Sequence, residues 1–149
     1  MKNIFTSVHF EEVIARICNL TSESPKRWGR MTLPQMLVHC RIQLQLALGE
    51  VTAKPQGSSL MKSSFGKWVA FSQLPWPKSS KTPREMDMNK NEYDHSTVDK
   101  EKDMLIHYLK LVKQQNSLCS HPFFGKLNRK EWGRLIYKHL DHHLRQFRC

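Results

Sequence analysis

Apolar positions recur at helical spacing in four long stretches of this chain, and no stretch alternates apolar and polar residues as a strand does. The first runs from about Ser7 to Leu20, where Phe10, Val13, Ile14 and Ile17 interleave with Val8, Glu11, Glu12 and Ala15. His9 stands near its start, on the exposed side. A polar break with Pro25 follows, then Trp28-Gly29-Arg30-Met31. The second helix opens on Thr32 and Gln35, a capping-box pair, with Pro34 tolerated in the first turn. It carries to Leu48 and stops at Gly49.

The middle of the chain is less regular. Val51 to Ser58 reads as a loop. Leu60 to Leu74 reads as a short helix interrupted at Gly66, a crossover segment in preference to a lid over one end of a bundle. Pro75-Trp76-Pro77 forbids regular helix, and the polar run to His95, with Pro83, is a long irregular connection. His95 is expected to face solvent.

The third long helix is expected from about Thr97 to Leu118, weakly capped by Ser96 and Asp99, with Met104, Leu105, Tyr108, Leu111 and Val112 as its buried stripe. On that basis His107 lies at the rim, and Gln115 lies on the stripe, where it could support a metal-bound histidine. Cys119 to Leu127 is a connection in which His121, before Pro122, is extended and serves the turn and packing. The last helix, Asn128 to Phe147, opens on a second capping box, Asn128 with Glu131. These elements make one domain over residues 1–149, all-α: a four-helix bundle with an additional short helix and a long loop between the second and third core helices.

The candidate chemistry sits on the apolar faces. On the last helix Trp132, Leu135, Ile136, His139, His143, Gln146 and Phe147 share one side. Lys130, Arg134, Lys138, Asp141, Arg145 and Arg148 take the other. His139 and His143, four apart, lie one above the other on adjacent turns, so two imidazole nitrogens can meet one ion. His142 points roughly 60° away and is a bystander at the rim. On the second helix His39 lies on a stripe with Gln35, Met36, Ile42, Gln43 and Leu46, with Arg41 opposite. It is the third ligand from a separate core helix that a bundle metal site needs. The usual reading of a lone core histidine is a hydrogen-bonded core residue, but each of these imidazoles must find partners for two polar atoms. Zincin chemistry is excluded, because Leu140 stands where its glutamate would be.

Composition narrows the class. The 39% hydrophobic content includes no run of the ~20 apolar residues that a membrane helix needs, and His9, Glu11 and Glu12 break any signal-peptide core at the start. No membrane role is expected. Cys18, Cys40, Cys119 and Cys149 form no metal or disulfide framework, which suits free thiols in the cytoplasm. The net charge of +11 suits nucleic acid, an anionic substrate or simple solubility. Its spread over every segment makes nucleic acid the weakest of the three.

The assembled motifs resemble the DinB/YfiT-like metalloenzyme superfamily. His139, His143 and Gln146 fit the H-x-x-x-H-x-x-Q of its final helix, with His39 on the second helix. The chain is most similar to an uncharacterised branch carrying W-G-x-M (Trp28 on), P-W-P (Pro75 on), H-P-x-F-G-x-L (His121 on), E-W-G (Glu131 on) and K-H-L-D-H-H-L-R-Q-F (Lys138 on). The resemblance spans roughly residues 7 to 147. It implies a DinB/YfiT-type bundle with one divalent ion held by His39, His139 and His143. It also implies, from some relatives, transferase or isomerase chemistry with small thiols such as bacillithiol or mycothiol.

Three imidazoles with an open position support catalysis on a small molecule, by metal-activated thiolate or water, as a thiol-dependent transferase or hydrolase. Imidazole ligation suits zinc, nickel, copper or iron, of which zinc or nickel is favoured here. The alternative is a non-enzymatic, stress-related bundle that binds a partner or nucleic acid through its basic surface. A homodimer is compatible with either.

Overall fold

A computed structural model describes residues 1–72, 74–77, 86–88 and 96–149. The described residues form six helices and no strand: α1 (Ser7–Cys18), α2 (Leu33–Leu48), α3 (Ser59–Lys62), α4 (Ser64–Phe71), α5 (Val98–Gln114) and α6 (Arg129–Gln146). His95 and Pro83 lie outside the described residues, as does most of the expected long connection.

The four long helices pack in a ring. α1 lies against α5 and α6, and α2 lies against the same two from the other side. The core between them is made by Phe10, Val13 and Ile17 of α1, Leu37 and Leu44 of α2, Leu105 and Leu109 of α5, and Leu135, Ile136 and Leu140 of α6. The short α3 and α4 lie outside the ring, and α4 packs on α6. Among the described residues no helix is long and apolar enough to cross a membrane. All four cysteines are free.

Both expected capping boxes form. Thr32 accepts the Gln35 N–H while Gln35 accepts the Thr32 N–H, and Asn128 and Glu131 do the same for α6. Gly49 ends α2 in the left-handed conformation at φ 83°, which glycine adopts without a Cβ clash.

Several boundaries differ from expectation. α1 ends at Cys18, not Leu20. His9 is half-buried, not exposed: its ring packs edge-on against Tyr137, 5.6 Å between centroids, and its Nδ1 meets the Thr6 hydroxyl. The break in the short helical stretch falls at Ser63, not Gly66. Ser63 caps α4 by accepting the Gly66 N–H, so it ends one helix and starts the next. α5 is capped by Thr97, not by Ser96 and Asp99, and it ends at Gln114, not Leu118.

The stripe of α5 is also rotated from the expected one. Glu101, Leu105, Leu109 and Val112 are buried, while Met104 is exposed. The cause is Glu101, which is 2% exposed and reaches across from α5 to α2. It pairs with Arg41 at 3.4 Å and accepts the Ser96 N–H at 2.9 Å. A paired carboxylate therefore occupies the place that hydrophobic patterning gives to an apolar residue.

Candidate metal centre

α2 and α6 are packed neighbours in the ring, and His39 of the one comes together with His139 and His143 of the other. His39, His139 and His143 are all buried. One ring nitrogen from each lies within 4.8 Å of the others, the arrangement that can hold a metal ion. His39 Nε2 and His139 Nε2 are 2.9 Å apart. The three ring centroids are separated by 4.6 to 4.9 Å. The spacing argument from sequence thus brought together the three residues it named.

The outer nitrogens show how the rings are set. His39 Nδ1–H donates to the Met86 carbonyl at 2.9 Å. A carbonyl can only accept, so the proton is on Nδ1 and the Nε2 lone pair points inward. His143 Nδ1 is set by a longer relay. Gln146 Nε2 donates to the Trp28 carbonyl at 2.7 Å, which fixes the amide orientation. Gln146 Oε1 is then left to accept from His143 Nδ1–H at 3.1 Å. Gly29 makes this approach feasible, because a Cβ there would collide with Gln146 Nε2. Carbonyl and carboxamide acceptors of this kind fix tautomer and ring direction in metal-binding histidines. His139 Nδ1 has no hydrogen-bond partner among the described residues.

Electrostatics keep the three rings neutral. Burial holds all three below the ordinary imidazole range. For His139 and His143, mutual repulsion within the cluster lowers them further. Neutral imidazoles are the form in which histidine binds a metal, and the Nδ1–H tautomers of His39 and His143 leave their Nε2 lone pairs free for one. The donor set therefore fits a divalent ion.

The histidines stand at the wall of a cavity of about 1090 Å³. Met61, Val69, Phe124 and Leu135 are among its apolar lining residues, and Arg30, Lys138 and Gln43 among its polar ones. α3 and α4 contribute to its wall, so this segment is a crossover that also borders the site. His142 is half-buried at the rim, its ring 5.1 Å from that of His143 and 6.0 Å from that of Trp28, as its direction on the helix implied.

Other residues stand where patterning did not place them. Gln115 is exposed beyond the end of α5 and supports no histidine. Arg129 donates to the Lys113 and Gln115 carbonyls, which satisfies the last carbonyls of α5 and ends the helix there. Gln146 takes the role that Gln115 was expected to have. Lys138, expected on the solvent face, lines the cavity instead. Its ammonium donates to the Ala70 and Ser72 carbonyls at 2.7 and 2.9 Å, and burial pulls its pKa down to about 8. α6 is covered on this side by α4, which periodicity within α6 alone does not reveal. His121 makes its expected turn with Gly125 and accepts the Phe123 N–H, but its ring also reaches the cavity. His107 is exposed.

The model of DUF1569, a family described as proteins of unknown function, matches residues 4–149, and the chain belongs to that family. No curated protein and no solved structure matches the chain.

Proposed function

We propose that this DUF1569 protein binds one divalent metal ion through His39, His139 and His143 and acts with it on a small molecule held in the adjoining cavity. The observation that carries this reading is the convergence of three buried, neutral imidazoles from two helices, two of them pinned by oxygen acceptors on their outer nitrogens. Three protein nitrogens leave a four-coordinate ion one open position, as in catalytic rather than structural sites. Such an ion supplies Lewis acidity: it lowers the pKa of a bound water or thiol and so provides a nucleophile near neutral pH.

The chain's own residues supply the remainder. Met86 and Gln146 hold the imidazoles of His39 and His143 in one tautomer. Trp28 and Trp76 flank His142 and narrow the approach to the histidines. Lys138 fastens the end of α4 beside the cavity and places a cation at its wall. Arg30 and Lys138 suit an anionic cosubstrate, and a low-molecular-weight thiol meets both requirements. The reading is therefore a metal-dependent thiol transferase or hydrolase on a DinB/YfiT-type bundle, with zinc or nickel as the ion. The histidine pattern on α2 and α6 and the terminal Lys138–Phe147 motif support that kinship.

The test is elemental analysis of protein prepared without an affinity tag and dialysed against zinc or nickel. Wild type should retain about one equivalent. His39→Ala and His143→Ala should each fall well below it, because each leaves two imidazoles. Unchanged stoichiometry in both variants would falsify the ligand assignment.

A further inference from the structure

The turn before α6 puts a histidine of a different kind at the cavity. His121 opens the H-P-x-F-G turn, and its backbone N–H and carbonyl pair with those of Gly125 at 2.9 and 2.8 Å. Its Nδ1 accepts the Phe123 N–H at 3.1 Å. A backbone N–H can only donate, so Nδ1 carries a lone pair there. Burial holds this imidazole at a pKa of about 4, so near neutral pH the ring is uncharged and its one proton is on Nε2. That Nε2–H has no hydrogen-bond partner among the described residues. His139 Nδ1 and Gln43 Oε1 are unpaired but fully enclosed, whereas His121 Nε2 retains accessible surface. The ring lines the cavity, and it is near enough to His139 for its charge to lower that imidazole.

The surroundings say what such a donor would take. Phe124 and Trp132 pack against the ring, with centroids 5.0 and 5.5 Å away, and fix its direction. Arg30 and Lys138 are cations elsewhere in the cavity lining, but the His121 N–H is an uncharged donor among aromatic rings. An ionised group brought there would lose its hydration, so an uncharged acceptor suits it. We propose that His121 binds the carbonyl oxygen of the substrate: its Nε2–H donates to the C=O of a molecule whose apolar or aromatic body fills the cavity beside the three histidines. Esters, thioesters, amides and ketones carry that acceptor and are the substrate class. The proposal rests on the metal-site reading only for which reagent meets this carbonyl. A histidine kept neutral by its environment polarises a carbonyl without giving up its proton. His121 is thus a substrate-binding residue, and no proton transfer is assigned to it. A site that pairs a ligand group discriminates against the analogue lacking it, because its own polar group then stays unpaired.

The test is calorimetric titration of the full chain with two probes, a naphthylbutanone and the alkene in which a methylidene group replaces its carbonyl oxygen. They share body and shape and differ in the acceptor. The titration is run on metal-free and zinc-loaded protein. Wild type should bind the ketone roughly tenfold more tightly in both states. His121→Asn puts an amide oxygen where Nδ1 stood, keeps the bond from Phe123 and has no atom at Nε2. It should bind both probes as wild type binds the alkene. A second measurement needs no variant: nitrogen–proton correlation spectra of wild type with isotope-labelled histidine. They should show the His121 proton on Nε2 at neutral pH, and that signal should move downfield with the ketone and stay in place with the alkene. The proposal is overturned if wild type binds neither probe or both equally, if His121→Asn keeps the preference, or if the proton sits on Nδ1. Zinc stoichiometry in the same samples separates the two readings. One equivalent of zinc with no ketone preference removes this inference alone; ketone preference without zinc binding removes the metal reading alone.

Discussion

His121 carries the clearest residue-scale consequence for stability. Burial pulls its imidazole down to about 4, and its Nδ1 must stay unprotonated to accept the Phe123 N–H. The unfolded chain, with an ordinary imidazole, binds the proton more readily. Stability from this group is therefore complete above about pH 6.5 and is lost as pH falls through its folded value near 4. The loss is on the order of 2–3 kcal/mol between pH 7 and pH 4.5. The difference between wild type and His121→Asn in urea unfolding of metal-free protein at the two pH values measures it, because His39, His139 and His143 decline alike in both. His121→Asn keeps an acceptor but cannot titrate, so it should show a shallower decline; an equal decline would remove His121 as a cause. At this scale the three histidines that could hold a metal were legible, because His39, His139 and His143 each lie on an apolar stripe whose direction follows from helical spacing alone. Lys138 and His121 were not legible as cavity residues. What places them there is another element, α4 over α6 for the one and a turn closed by Gly125 for the other.

The helices show the same division. Caps and stops were readable at the capping boxes of Thr32 and Asn128 and at the left-handed Gly49. They were misplaced where a distant partner decides, as at the end of α5, where Arg129 takes the final carbonyls. The rotated stripe of α5 belongs to this second kind. Glu101 is not on the expected stripe, and its place in the interior depends on Arg41 lying opposite it on α2. Removing Glu101 leaves the mostly buried Arg41 guanidinium without its carboxylate partner, with Gln45 as its remaining side-chain acceptor. Glu101→Ala should therefore lower stability by about 3–5 kcal/mol, measured by denaturant unfolding. A loss below about 1 kcal/mol, the range of an exposed pair, would show that this contact does not hold α5 to α2.

For the whole molecule, the ring of α1, α5, α2 and α6 serves to bring two distant stretches of sequence face to face. α2 supplies His39, and α6 supplies His139, His143 and Gln146. The segment between α2 and α5 adds the aromatic and apolar cavity wall. Leu60, Phe65, Trp68 and Leu74 of this segment are exposed, and all of them but Trp68 line the cavity. The bundle was readable from periodicity. The cavity was not, because α2 and α6 make only part of its wall and the remainder comes from α3, α4 and loops that have no strong period of their own.

The most direct measurement is the zinc-edge X-ray absorption spectrum of zinc-loaded protein. The account predicts three imidazole nitrogens at about 2.0–2.1 Å, with the outer-shell scattering of histidine rings. A first shell of oxygen alone, one containing cysteine sulfur, or one with fewer than three imidazoles would contradict it.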